Sequence, residues 1–484
     1  MELDWLPVSA AFLLGSYAFV FKFLRKANGW YYEFKLGQKE NPLPPGDMGW
    51  PLVGNLFAFT KAFKFGDPDS FINNLMSRYG KTGIYKTHLF GNPTIIVCTP
   101  EMCRRVLTDD QHFRLGYPKA SMTLAGTLLR TDSPEEHKRL RRLTTAPIVG
   151  HNALAVYVDF VEDIIVNSLE EWASMNHPID LLKEMKEITF KVIVGIFSGS
   201  DTNSVIAKIG YLFTILVNAI MSLPINIPGF TFHKALQARK KLATTVKSFV
   251  GERKKDAQRD GKKDLVDILL EIKDENGQKL KENDIVDLLI MFLLAGYEST
   301  SVAMMWSTIY LTEHPQITKK AKEEQEEIIK TRPSSQKRLN IREIKQMTYL
   351  AKVIDEMLRK TSLVFATFRE AQVDVNINGY TIPKGWRVLN WARAIHMNPE
   401  YHPNPQQFNP SRWDEYAKVG SFLPFGIGSR QCPGMDLAKL QISIFLHYFL
   451  LNYKLERVNP ECRITYLPVT RPVDNCLAKV VKVA

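Results

Sequence analysis

The 484-residue sequence predicts an α+β protein, mainly α with small β-sheets, preceded by an N-terminal transmembrane helix. Three observations carry that reading. Apolar residues recur at helical spacing through residues 153–256, 284–312 and 435–448. Shorter stretches at 82–97, 373–382 and 387–391, bounded by Gly and Pro, read as strands. Residues 6–24 are apolar apart from Ser9, Gly15, Ser16, Tyr17 and Lys22, enough to cross a bilayer as a helix.

Glu2 and Asp4 precede that run, and Lys22, Arg25 and Lys26 follow it. Basic residues on its C-terminal side keep the rest of the chain in the cytosol. They stand on the wrong side for a cleaved signal peptide, and no small-residue cleavage site follows. Residues 1–26 are therefore assigned as a membrane anchor. Residues 27–55 form a basic and proline-rich linker, in which Pro42, Pro44, Pro45 and Pro51 stiffen the backbone; composition alone equally allows an ordinary loop. Residues 56–484 read as one large domain. A net charge of +12 and a pI of 9.2 would fit a nucleic-acid binder. No nucleic-acid motif is present, however, and the cations are dispersed. Such charge suits an anionic membrane surface or an acidic redox partner. Cys98, Cys103, Cys432, Cys462 and Cys476 are odd in number and lack metal-ligand spacing, which fits a reducing compartment.

Along the chain, residues 70–79 read as a short helix, 82–97 as paired strands about a Gly91-Asn92-Pro93 turn, and 100–107 as a helix. Residues 109–129 contain Gly116, Pro118 and Gly126 and have no clear period, which marks a functional or mobile loop. Residues 135–145 form a strongly basic helix with His137 and Arg141 on one face, by default a solvated one. Residues 153–256 are helical with breaks at 198–203 and 223–229, where Pro224 and Pro228 stop any helix. The long helix 284–312 carries the run Ala295-Gly296-Tyr297-Glu298-Ser299-Thr300. Ala295 and Gly296 let a flat ligand approach the backbone, while Glu298 and Ser299 supply an acid and a hydroxyl that relay protons through water. By itself the run is equally a helix with exposed polar residues. Glu356 and Arg359 stand one turn apart on helix 350–360, the ordinary spacing of a surface salt bridge. Strands 373–382 and 387–391 flank a Pro383-Lys384-Gly385 turn.

Residues 425–434 read FGIGSRQCPG. Gly426, Gly428 and Gly434 allow close backbone approach to a large flat group. Arg430 suits a carboxylate such as a haem propionate. Cys432 precedes helix 435–448, whose unpaired N–H groups and dipole stabilise a thiolate. These residues together point to a buried cysteinate bound axially to haem iron. The plainer alternative is a structural cysteine in a glycine-rich turn.

Phe425, Gly428, Arg430, Cys432 and Gly434 fall in the order F-x-x-G-x-R-x-C-x-G, which resembles the haem-binding signature of the cytochrome P450 superfamily. The Glu298-Ser299 pair, the E-x-x-R of Glu356 and Arg359, and FNPSRW with Arg412 resemble the superfamily's other motifs, in order. The resemblance covers nearly the whole chain and implies the cytochrome P450 fold, with residues 56–484 as a haem-thiolate catalytic domain. It implies haem b with Cys432 as metal ligand. Arg430, Arg141, His137 and Arg369 would reach the propionates, with Phe425, Gly426, Gly434, Ala295 and Gly296 near the ring. The family usually has tryptophan in place of His137, and threonine in place of Ser299, so either Ser299 or the adjacent Thr300 would act with Glu298. Glu356, Arg359 and Arg412 would form a buried ion-paired network. Tyr117, Met122, Leu124, Leu294, Val364, Phe365, Ala366, Thr367 and Val469 would contact substrate. Residues 209–221 are either core or a membrane-touching roof.

The resemblance further implies O2 as co-substrate and electrons from NADPH through cytochrome P450 reductase. It also implies membrane lipid and an apolar small molecule as partners, no nucleic acid, and a monomer. The chain would be a single-pass protein of the endoplasmic reticulum with its catalytic domain in the cytosol. The segments LPPGDMGWPLVGN, GIYKTHLFGNP, INIPGFTFHKAL and YTIPKGWRVLNWARAIHM resemble a plant group containing β-amyrin 11-oxidase and ent-kaurenoic acid oxidase. Mostly apolar pocket segments favour a β-amyrin-type triterpene over kaurenoate, whose carboxylate wants a fixed cation, with Lys119 the exception. Two other classes stay open: a haem-thiolate hydroperoxide isomerase or dehydratase, and a non-catalytic haem protein. The Glu298-Ser299 pair counts against the first, and the substrate segments count against the second.

Overall fold

The computed structural model describes residues 5–126, 133–199, 202–220, 222–255, 263–415 and 418–483; Glu2, Asp4, the loop end at 127–129 and Met221 lie outside these. The first helices are α1 (Trp5–Leu36), α2 (Leu56–Phe65), α3 (Asp69–Tyr79), α4 (Pro100–Thr108), α5 (Lys119–Ala125) and α6 (Pro134–Val149). They are followed by α7 (His151–Ser174), α8 (Leu181–Ser198), α9 (Thr202–Asn218), α10 (Thr231–Lys255), α11 (Leu265–Glu271) and α12 (Glu282–Glu313). The last are α13 (Pro315–Thr331), α14 (Ile341–Gln346), α15 (Thr348–Thr361), α16 (Ala392–His396) and α17 (Met435–Asn452). The strands begin with β1 (Ile84–Leu89), β2 (Asn92–Val97), β3 (Phe113–Leu115), β4 (Ile179–Asp180), β5 (Thr367–Ala371) and β6 (Val375–Ile377). They continue with β7 (Tyr380–Ile382), β8 (Arg387–Asn390), β9 (Tyr453–Arg457), β10 (Ile464–Thr465), β11 (Arg471–Pro472) and β12 (Leu477–Lys482).

Two compact units form. One comprises Met1–Gly116, Phe365–Ile395 and Val419–Ser421. Its sheet has the order β1-β2-β8-β5-β3, parallel only between β2 and β8. Phe90 and Gly91, both at positive φ, make the β1–β2 turn, so Asn92 and Pro93 belong to the strand rather than to the turn. Two left-handed residues match the twist of a two-residue hairpin. For the same reason Asn378 and Gly379 fold residues 373–382 into two strands, β6 and β7. The aperiodic stretch after residue 109 holds β3, which its own sequence does not announce because its partner is the distant β5. Helix α1 continues past the expected end at residue 24 to Leu36. Nothing before Gly37, at φ +65°, breaks it. Phe59, Phe63, Phe71, Phe365 and Trp391 pack as an aromatic cluster, beside which Arg393 makes a bidentate pair with Asp69 at 2.7 and 2.8 Å.

The other unit comprises Tyr117–Val364, His396–Lys418 and Phe422–Ala484. At its centre lies α12, packed by α8, α10, α15 and α17. Every residue from 300 to 311 is buried, the signature of a helix surrounded on all sides. Among the described residues it is the one helix long and apolar enough to span a bilayer, yet it serves as core. Close approach by α8 depends on glycine at two points. A Cβ on Gly195 would lie 1.9 Å from Phe160 Cζ of α7, and one on Gly296 would lie 2.6 Å from Ile193 Cδ1. The helical region 153–256 has a further break at residues 175–180, where β4 pairs with β12 from the C-terminus. Helix α9 has a core face of Ile209, Phe213 and Leu216 and an exposed Tyr211.

Candidate active site

The Cys432 loop is built by backbone geometry. Gly426 and Gly428 take φ +68° and +79°, conformations that favour glycine, while Gly434 sits at φ −88° as the N-cap of α17. Cys432 N donates to Phe425 O at 2.9 Å, which ties the loop to itself. The turn anchors the backbone and leaves the thiol open, as a side chain that is to bind an iron requires. Sγ is nevertheless crowded by protein. Burial raises its pKa above the usual thiol value, opposed by the Gly434 N–H and the charge of Arg141. A coordinating metal ion reverses such a shift by deprotonating the thiol outright. Arg430 is half-buried on the short 3-10 turn Gly428–Arg430.

Helix α6 holds this loop through its carbonyls. Arg141 Nη1 donates to Gln431 O at 2.5 Å, and His137 Nε2 lies 3.3 Å from Ser429 O. Burial pulls the Arg141 pKa below its usual value. Ser429 Oγ is buried without a hydrogen-bond partner among the described residues, and a Cβ on Gly426 would meet nothing within 4 Å. An open thiol, an orphaned hydroxyl and nearby cationic side chains fit a haem, whose iron Cys432 would hold.

On α12 the six-residue run divides between faces. Ala295 and Ser299 are exposed, and Ser299 Oγ donates back to Ala295 O at 2.8 Å. Thr300 is 4% exposed and belongs to the core. Gly296 turns to Ile193 of α8, so its smallness serves helix packing rather than the open face expected for it. Glu298 is held by Lys186 of α8 at 2.7 Å, a partner no local sequence pattern announces. Lys186 also lies over the Tyr297 ring at 5.6 Å.

Glu356, Arg359 and Arg412 do meet. Arg359 grips both Glu356 oxygens at 2.8 and 2.9 Å, and Arg412 Nε reaches them at 3.1 and 3.2 Å. Asn409 N adds a fourth N–H donor at 3.0 Å, which the sequence reading missed. His396 also escaped that reading. Its Nε2 accepts from Leu423 N at 2.9 Å while Nδ1 faces Ser362 Oγ at 3.0 Å. Ser362 Oγ donates to Arg359 O, so His396 is neutral with its proton on Nδ1. Neither residue carries a motif that would have flagged it.

Of the substrate-contact residues, Tyr117, Met122, Leu294 and Val469 are partly buried and Val364 is 46% exposed, whereas Leu124 is fully buried core. In the other unit, Ala366 and Arg369 are buried on or beside β5, and Phe365 and Thr367 are partly buried.

The family model for cytochrome P450 matches residues 44–472. The chain is 64% identical to the β-amyrin 11-oxidase of Glycyrrhiza uralensis, over all of both chains. It is 49% identical to ent-kaurenoic acid oxidase 2 of Arabidopsis thaliana, over 99% of this chain and 98% of that one. A retinoic acid-bound cyanobacterial P450 superposes with a TM-score of 0.82 at 26% identity, covering 92% of this chain and all of that one. A loop that presents one open cysteine at the head of α17 is thus matched by kinship along nearly the whole length, and the chain belongs to the cytochrome P450 family, haem-thiolate monooxygenases that use O2 and reductase-supplied electrons.

Proposed function

We propose that this protein oxidises a polycyclic terpenoid, a triterpene of the β-amyrin type, as a membrane-anchored monooxygenase. The observation that carries the substrate class is the 64% identity, end to end, with a β-amyrin 11-oxidase. Cys432 would hold the haem iron. Arg430, Arg141 and His137 would serve its carboxylates, with Phe425, Gly426, Gly434 and Ala295 against the ring. When bound, a haem with a thiolate ligand supplies reductive activation of dioxygen. The protein's own side chains move the protons. Ser299 Oγ, on the open side of α12, passes a proton, and the Glu298 carboxylate, held by Lys186, takes up a proton from water and hands it on to renew the hydroxyl. Tyr117, Met122, Leu294, Val364 and Val469 orient the substrate. For Arg369, Phe365, Ala366 and Thr367 the assignment rests on resemblance alone.

Residues 1–26 anchor the protein once in the endoplasmic reticulum membrane, residues 27–55 connect, and residues 56–484 form a monomeric cytosolic catalytic domain that takes electrons from NADPH–cytochrome P450 reductase. The test feeds β-amyrin to microsomes holding the full chain and a reductase, with products identified by mass. NADPH-dependent gain of oxygen is expected. An intact, haem-loaded protein that leaves β-amyrin unchanged would remove the substrate choice. A reduced, carbon-monoxide-treated sample without the absorption band of thiolate ligation would remove Cys432 from its role.

A further inference from the structure

Over residues 285–300 of α12, one i, i+4 row has no buried member: Asp287, Met291, Ala295 and Ser299. Such a row forms a continuous ridge along a helix. It begins with a charge. Asp287 Oδ1 accepts from Arg239 Nη2 of α10, and Arg239 Nε donates to Leu124 O of α5 at 3.2 Å. Arg239 is 9% exposed, yet its Nη1 bonds to none of the described residues. The chain keeps this corner clear. Gly126, at φ +112°, has its Cβ position 2.9 Å from Arg239 Nη2 and 3.3 Å from Asp287 Cγ, so any larger residue there would press on the pair. At 1.5 Å per residue, Asp287 and Ala295 are about 12 Å apart along the helix axis.

We propose that Arg239 and Asp287 form a polar anchor for the oxygen substituent of the substrate remote from its reacting carbon. The anchor selects a neutral hydroxyl over a carboxylate. This rests on the polycyclic-terpenoid reading above. An alcohol oxygen accepts from Arg239 Nη1 while its proton goes to an Asp287 oxygen, so both members of the pair stay compensated. A substrate carboxylate would compete with Asp287 for the guanidinium and face a like charge. The cation that a carboxylic acid would require is already neutralised, which separates β-amyrin, an apolar alcohol, from ent-kaurenoic acid.

The test is equilibrium binding to the full-length, haem-loaded protein, read from the haem absorption shift on titration with β-amyrin, olean-12-ene (the same polycycle without the hydroxyl) and ent-kaurenoic acid. Asp287→Asn and Arg239→Met should each weaken β-amyrin by about three- to tenfold and leave olean-12-ene unchanged. Asp287→Asn, which unmasks the guanidinium, should tighten ent-kaurenoic acid by about tenfold or more. Equal weakening of alcohol and hydrocarbon would show a merely structural pair and overturn the proposal, as would β-amyrin affinity unmoved in both variants. Wild-type protein that binds no polycycle would instead strike at the terpenoid reading. Wild-type protein that binds all three equally would strike at the anchor alone.

Discussion

Ser299 and Thr300 are adjacent hydroxyls with opposite surroundings. Ser299 is exposed on the open ridge of α12 and bonds, among the described residues, only to a helix carbonyl, whereas Thr300 is 4% exposed. A group that passes protons must reach water, so the proposal assigns the task to Ser299. Ser299→Ala should lower product formed per NADPH consumed by about a hundredfold, the low end of what one positioned proton carrier contributes. Thr300→Val should leave that ratio within about twofold and shift only the melting temperature. The reverse ranking would transfer the role to Thr300. From residue types alone the two were indistinguishable. What separates them is a rotation of about 100° around a helix whose surroundings come from α5, α8, α10, α15 and α17.

At the scale of elements, two joints decide how the helical unit holds together. Gly195 lets α8 pass Phe160, whose ring would lie 1.9 Å from an added Cβ. Gly195→Ala raises helix propensity by about 1 kcal/mol but overpacks the joint by about 1–3 kcal/mol, so a net fall in melting temperature is expected. A rise would mean the helices slide apart at little cost. The second joint is the Glu356 network. Removing its carboxylate leaves Arg359, with a side chain 0% exposed, and Arg412, 9% exposed, without their counter-charge. Glu356→Ala should cost about 3–5 kcal/mol and abolish haem incorporation. A folded, haem-loaded variant would refute this. Glu356 and Arg359 could be paired from their spacing, and Arg412 joined to them from the resemblance that FNPSRW carries. Asn409 N and the carbonyls of His396 and Pro405 that complete the network could not, because backbone groups leave no mark in a sequence.

For the molecule as a whole, acid stability turns on a histidine of α17, the helix that follows the cysteine loop. His447 of α17 is buried and bonded to Gln325 Oε1 at 2.9 Å. Burial, with the Arg332 charge adding, pushes its pKa down from 6.5 to about 3. Between those values the unfolded chain binds a proton that the folded chain refuses. Stability contributed by neutral His447 is therefore complete above pH 6.5 and falls as the pH drops toward 3. Thermal denaturation of His447→Gln against pH should show a flatter acid limb than wild type. An identical limb would place the sensitive group elsewhere.

Helix positions and the cysteine turn were legible in the chain because each rests on local periodicity or on fixed short spacing, whereas the acid–alcohol pair and the Glu356 network were named through motifs that resemble those of the superfamily. Strands β3, β4 and β5 were not, since their partners lie far along the chain and supply the pattern that defines them. The bonding of Lys186 to Glu298, the turning of Gly296 toward Ile193 and the pairing of Arg239 with Asp287 also came only with the packed helices. Spacing determines which residues share a face. What that face meets is decided by the neighbours that tertiary packing brings to it.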